Sequence, residues 1–379
     1  MKALLVTTDF PPAVGGIQAS LYNTVCHFRH IEVIVVAPDH PNTQEFDRDQ
    51  SFVIHRVKPP QPQSRSQRLS RYVHMGMESF RVVCREDVEV VLCGHPFTAP
   101  LGLAIKRLLK KPYVVWTHAK ELLGWRYLLC CSLPSADAVL FHSAYTHGLA
   151  SRLGVSMEKM VQIPCAPDCD SSLQEWVDDI SYPANICLLL TVARMDDLYK
   201  GHDIMLRAMP LIAARVPHVR WVVVGDGKWR SYYEKMAHAL GVQDRVHFLG
   251  TVSESERDKM LASCDVFVMV SRDRQIDGGG EGFGLVYLEA NAFGKPVVAG
   301  RVAGALDAVV DGVTGLLVNP EDEFEVAEAV IALLTNPARA AQLGQQGRDR
   351  VQQNFTWDRT AAAVEEVLYK VARPISVQQ

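Results

Sequence analysis

The chain of 379 residues is 48% hydrophobic and 22% charged, a globular composition that excludes a disordered protein and is long enough for two ordinary domains. Its net charge of −4 divides unevenly, with 18 Lys and Arg against 15 Asp and Glu up to Asp170 and 21 against 28 beyond it. The acidic total and the absence of stacking aromatics among the basic clusters set nucleic acid aside as a partner.

Strands are predicted at residues 3–8, 32–37, 52–57, 88–93, 113–117, 138–142 and 160–163, with helices between them at 17–28, 68–85 and 143–153. The helix at 143–153 starts at an N-cap serine, Ser143, and stops before Gly154. From Pro164 to Pro183 the pattern lapses into Pro, Asp, Ser and Cys. A second alternation follows at 186–193, 219–225, 246–250, 266–270, 296–299 and 316–318, and residues 357–371 form an amphipathic helix. The expectation is α/β throughout, with two doubly wound Rossmann-like domains at 1–170 and 184–355, a linker at 171–183 and a terminal helical segment at 356–379. No apolar run is long enough to cross a bilayer, and residues 1–7 turn polar too quickly for a signal peptide and read as the first strand. Nine cysteines without a Cys-x-x-Cys pair read as reduced thiols in a cytoplasmic protein.

The basic excess concentrates in Arg56, Lys58, Arg65, Arg68, Arg71, Arg81 and Arg85, against the single acid Glu78. A solvated helix face accounts for it; contact with an anionic membrane surface, at the inner face, or with an acidic acceptor is the sharper reading.

The chemistry concentrates between Gly278 and Phe293. Three glycines (Gly278, Gly279, Gly280) precede Glu281, and an apolar helix from Leu285 carries Glu289 as its only charged group. A buried carboxylate needs a partner, and two sugar hydroxyls suit it because both oxygens accept. Glycines before a helix let backbone N–H groups approach an anion. Together they describe a site for a molecule with both phosphate and sugar hydroxyls. The strand at 186–193 is followed by Arg194 and Lys200, a fork and a point charge for phosphate, although Asp196 and Asp197 offer them a surface network instead. Asp9 to Gly16, ending in Gly15-Gly16 before a helix, is either a turn or an oxyanion loop. His118 follows a strand and is either a core histidine or a crevice residue. Gly225-Asp226-Gly227 lacks the third glycine of a dinucleotide loop because Arg230 stands there. Asp47…Asp49 and Asp168…Asp170 read as chance pairs in polar loops away from the other features, and no His/Cys metal cluster is evident.

Glu281 and Glu289 match a Glu-x7-Glu signature. With the Gly15-Gly16 loop, the Arg194/Lys200 pair, the turn at 248–250 and Phe355-Thr356-Trp357, taken in order, the chain resembles the retaining glycosyltransferases of family 4 with the GT-B fold. The likeness covers nearly the whole chain and is strongest from Leu189 to Thr356. It implies two Rossmann-like domains facing across a cleft, domain closure, and a terminal helix that returns to the first domain. By the same resemblance Glu281 orients the donor sugar and Glu289 holds the ribose. Arg194 and Lys200 neutralise the departing diphosphate, and the N–H groups of Phe283, Gly284 and Leu285 meet its distal phosphate. Thr251 and Val252, after Gly250, meet the base; His118 contacts the transferred sugar; Gly15 and Gly16 lie near the diphosphate or acceptor. The catalytic group is thus His118, Glu281, Arg194 and Lys200, with no metal and no cofactor. The partners implied are a nucleotide-sugar donor and a glycan or lipid-linked acceptor. The stretch from Ser271 to Gly284 looks like members that use GDP-mannose, while UDP-sugar users share most of these features. A sugar-nucleotide epimerase, a phosphorylase and a non-catalytic nucleotide-sugar-binding module are the rival readings.

Overall fold

A computed structural model of the protein describes residues 1–58, 65–124, 126–169, 186–273 and 279–373. The chain forms two compact units, Met1–Cys165 with Thr356–Gln379, and Ala166–Phe355. The predicted linker at 171–183 lies outside the described residues.

The first unit holds a sheet of strands β1 (Lys2–Val6), β2 (Glu32–Pro38), β3 (Val53–Val57), β4 (Val90–Cys93), β5 (Tyr113–Trp116), β6 (Ala138–Phe141) and β7 (Met160–Gln162). All are parallel, in the order β3-β2-β1-β4-β5-β6-β7. The central strands are unbroken apolar runs because helices cover both faces. Along β1, Leu4 and Val6 enter one core with Met75, Val82, Ile105 and Leu149, whereas Ala3 and Leu5 enter the other with Leu21, Val25, Val364 and Leu368. The two-residue alternation of a strand thus feeds two separate cores. The sheet order reverses between β1 and β4, and the residues that follow their carboxyl ends lie at this switch point.

The helix Trp357–Ala372 belongs to this first unit and covers the second of those cores. Its Glu365 is buried, and one carboxylate oxygen accepts the backbone N–H groups of Arg29, His30 and Ile31 at 3.0, 2.8 and 3.1 Å. Replacing Glu365 by alanine is expected to cost about 2 kcal/mol, since water can reach two of these donors and the third is stranded. Denaturant unfolding checks this; an unchanged midpoint would mean that the carboxylate anchors nothing.

The second unit holds β8 (Cys187–Val192), β9 (Val219–Val224), β10 (Val246–Gly250), β11 (Val266–Met269), β12 (Val297–Gly300) and β13 (Gly315–Val318), again parallel, in the order β10-β9-β8-β11-β12-β13. Its switch point lies between β8 and β11, so the segments leaving those strands run side by side. The Gly225-Asp226-Gly227 turn is explained by packing. Both glycines have positive φ, and a Cβ on either would strike the backbone of Ala193 or Met195.

The basic clusters are less free than their sequence suggests. Arg56 is turned inward, holding Asp47 through Nε and Nη2 and donating to the carbonyl of Pro11. Asp47 is therefore an ion-pair partner, and Lys106 is similarly occupied by Asp137 at 2.7 Å. What faces solvent on the helix Arg65–Arg85 includes a stripe of Val73, Met77, Arg81, Cys84 and Arg85. Among the described residues no helix is long and apolar enough to cross a membrane.

Candidate functional site

In the second unit, the segment after β8 is strapped to the β9 turn: Met195 N–H donates to the Asp226 carbonyl, and Trp229 N–H to that of Met195. Met195 is buried and its neighbour Arg194 is exposed. The chain then makes a single turn at Leu198–Lys200, and Gly201, with φ of 78°, opens the helix His202–Arg215. This turn brings Lys200 to Glu281, with Nζ 2.7 Å from Oε2. Side-chain exposures of 16% and 11% make the pair largely buried. Burial pulls the Lys200 ammonium down, but the adjacent Glu281, together with Tyr199, more than offsets it and the net shift is upward. Ser271 Oγ donates to the same Glu281 oxygen at 3.2 Å, and Gly304 N–H holds the Glu281 carbonyl at 2.9 Å. The surface network with Asp196 and Asp197 that the sequence allowed is not how Lys200 is neutralised; Glu281 does that, and Asp196 receives the backbone N–H of Lys228.

Glu281 leads through Phe283, which packs on Phe355, to Gly284. Gly284 has φ of 92° and caps the helix Leu285–Ala292, and a Cβ there would enter the Tyr287 ring. No acid lies in the helix's first turn, so none of its own side chains there would compete with an anion for its positive end. Of the three predicted glycines, Gly279 packs on the Tyr199 ring, and Gly278 lies outside the described residues.

One turn along that helix, Glu289 is buried, and its carboxyl is pushed up to about 7. Desolvation dominates; Arg257 opposes it, and Asp258, Asp168 and Glu254 add to it. Arg257 lies on the helix Glu254–Ser263, capped by Ser253, directly after the exposed Thr251 and the half-buried Val252. Its guanidinium also holds Asp258 and the carbonyl of Asp168 at 2.7 Å. The reading of Asp168 as remote from the other features is therefore wrong: long-range folding brings it beside Glu289. Asp170 lies outside the described residues.

In the first unit, Gly15 and Gly16 are exposed where the loop after β1 enters the helix Gly16–Cys26. His118 follows β5 and is half-buried, stacked on Trp116 with Nε2 3.0 Å from the carbonyl of Gly94. Glu121 receives the backbone N–H groups of His118 and Ala119. Two further histidines surround it, His95 after β4 and His142 after β6, with ring centroids 6.2 and 6.1 Å away. His142 accepts from Trp116 Nε1 at 2.9 Å and so donates through Nδ1 to Ile163; burial pushes its pKa down to about 3. Burial also lowers His95, whose Nε2 lies 3.8 Å from Asp9. The sequence reading missed His95, His142 and Glu121. The first two carry the signal that identified His118, a histidine immediately or nearly after an apolar strand.

Among the described residues no group of three or more His, Cys, Asp and Glu side chains is arranged to hold a metal ion. The arrangement in the second unit suits a ligand with a diphosphate near Lys200 and the helix N-terminus and with vicinal hydroxyls near Glu289.

Comparison with known proteins bears on both units. Residues 182–350 match the family model of glycosyl transferases group 1, and residues 14–171 match that of glycosyltransferase family 4. A GDP-mannose-dependent alpha-(1-6)-phosphatidylinositol monomannoside mannosyltransferase of Mycolicibacterium smegmatis is 33% identical over 96% of this chain and 97% of its own. A Corynebacterium glutamicum enzyme, named for the monoacylated form of that acceptor, is 30% identical over 94% and 95%. Among solved structures, a sucrose-phosphate synthase of Thermosynechococcus elongatus superposes with a TM-score of 0.80 at 21% identity, covering 98% of this chain and 99% of its own. Anabaena HepE in complex with UDP-glucose gives 0.75 at 20% identity, covering 98% and 100%. At these identities the solved structures establish the GT-B fold alone.

Proposed function

The chain belongs to the family 4 glycosyltransferases of GT-B fold, and from that premise we propose that it moves mannose from GDP-mannose to a mannosylated glycolipid, with retention of configuration and without a required metal. The observation that carries the reading is the largely buried Lys200–Glu281 pair at the switch point of the second sheet, close in sequence to the Gly284-capped helix. Lys200, Arg194 and the N–H groups of Phe283, Gly284 and Leu285 meet the diphosphate. Glu281 orients the sugar, Glu289 takes the ribose hydroxyls, and the backbone of Thr251 and Val252 meets the base. His118 contacts the transferred sugar, and Gly15 and Gly16 lie towards the diphosphate or acceptor.

In the reaction the acceptor oxygen bonds to the anomeric carbon as the bond from that carbon to the diphosphate oxygen breaks. The electron pair leaves with the diphosphate, which takes up the acceptor's proton. Lys200 stabilises the charge that develops on the leaving group, the largest contribution a preorganised site makes. Mannose and the glycolipid are supported by the relatives' names. A lipid-linked acceptor also suits the exposed Val73, Met77, Arg81 and Arg85, an apolar and basic stripe that an anionic bilayer would attract.

The test is to incubate the protein and a chelator with GDP-mannose, UDP-glucose, UDP-galactose, UDP-N-acetylglucosamine and GDP-fucose separately. Each is tried with and without vesicles containing a phosphatidylinositol monomannoside. Release of GDP from GDP-mannose with an α-linked lipid product is expected. Turnover of a UDP-sugar alone would sink the donor assignment, and a rearranged nucleotide sugar formed without acceptor would favour an epimerase.

A further inference from the structure

Strand β11 runs out into Val270-Ser271-Arg272, and all three residues grip the site. The Val270 carbonyl seats Gly201 so closely that a Cβ there would collide with it. Ser271 Oγ donates to Glu281. Arg272 donates its backbone N–H to the Tyr199 carbonyl at 2.7 Å. Its guanidinium reaches further: Nη2 donates to the carbonyl of Leu198 and to Asp203 Oδ1, each at 2.7 Å, and Nη1 lies 3.3 Å from Glu321. Leu198 and Asp203 bracket Lys200, so one planar fork holds the chain on both sides of that lysine.

Arg272 is only 5% exposed. A guanidinium buried that deeply is tolerated only when its charge is matched, here by Asp203 and Glu321. Lysine would supply the charge from a single nitrogen, without the planar pair of nitrogens that meets Leu198 and Asp203 through Nη2 and Glu321 through Nη1. The Tyr199 ring, wedged between Gly279 and Lys200 Nζ at 5.1 Å, closes the other side of the same segment.

We propose that Arg272 is a positioning residue for the transfer reaction: it locks residues 198–203 so that Lys200 Nζ stands on Glu281 and faces the donor diphosphate. The inference rests on the reading of Lys200 as a diphosphate ligand. Without the clamp, the ammonium is still present but wanders, and preorganisation is lost.

Calorimetric titration of the full chain with GDP and with GMP tests this, with UDP and UMP run in parallel. For R272Q, GDP is expected to bind about tenfold more weakly, the loss of one charge-assisted contact, while GMP binding is unchanged. R272K should fall between R272Q and the parent. In the double variant K200A/R272Q, no loss beyond that of K200A is expected, because the clamp acts through the lysine. Unaltered GDP binding by R272Q would overturn the proposal, as would an equal loss for GMP or an undiminished loss in the K200A background. If the parent protein binds none of the four nucleotides, the donor reading itself falls and the proposal with it. Should R272Q not fold by circular dichroism, D203N is titrated instead. The same selective loss for GDP supports the clamp, and parent-like GDP binding refutes it.

Discussion

Replacing Lys200 by alanine is expected to lower kcat/KM for the nucleotide sugar by about 10²–10³, the scale on which removing one preorganised electrostatic group acts. The ammonium stays charged because Glu281 holds its pKa up against the cost of burial. In the proposed reaction it therefore acts as a fixed cation towards the departing diphosphate and not as a proton donor whose action follows pH. The substitution has a second consequence. Among the described residues Glu281 keeps the Ser271 hydroxyl as its side-chain hydrogen-bond partner, and a largely buried carboxylate loses its ion-pair partner Lys200. K200A is then expected to be less stable than the parent, and K200A/E281Q to recover stability without recovering turnover. Steady-state kinetics with denaturant unfolding on the three proteins separates the two effects. Unchanged affinity of K200A for free GDP would remove the phosphate role of this residue.

The second large effect is the pH dependence carried by Glu289. Its carboxyl rises from 4.5 to about 7 through desolvation, only partly countered by Arg257. Between roughly pH 4.5 and 7 the native protein holds a proton that the unfolded chain has released. Ligand-free stability therefore falls as pH rises through this window and levels off above it, by an amount on the order of 3 kcal/mol. E289Q stays neutral and is expected to lose this dependence, becoming more stable than the parent at pH 8. Donor binding runs the opposite way. If Glu289 takes the ribose as proposed, two hydroxyls donate to its ionised form, so parent affinity is expected to rise from pH 6 to 8, whereas E289Q should bind about tenfold more weakly at pH 8 with a flat profile. Thermal unfolding and calorimetry across that range check both. A parent affinity independent of pH would mean that the carboxylate does not meet the ligand.

The strands were legible because parallel strands covered on both faces are plain apolar runs, and each described strand lies within about two residues of its expected position. Glu289 was legible for a related reason, since a lone carboxylate in an apolar helix stands out, whereas Glu281 was marked by the glycines around it. What sequence could not convey is which distant partner meets each one. Lys200 has two aspartates nearer in sequence, yet it pairs with Glu281 because β8 and β11 are neighbours in the sheet. Arg257 and Asp168 reach Glu289 through a helix and a segment with no local motif between them. Arg56 looked like part of a surface patch, and only the β2–β3 pairing shows that its side chain is committed to Asp47 and Pro11.

The position of the helix Trp357–Ala372 has a consequence for biosynthesis. It completes the first unit, yet the ribosome makes it only after the whole of the second. Until then Leu21, Val25 and the outer side of β1 and β2 lack their cover, and the N–H groups at 29–31 lack Glu365. The usual vectorial order, in which the leading domain matures first, is thereby inverted. The inserted unit is free to mature while the leading one waits, with an apolar face open to chaperones or to misassembly. Nascent chains arrested before residue 357 are accordingly expected to be protease-resistant in the second unit and sensitive in the first.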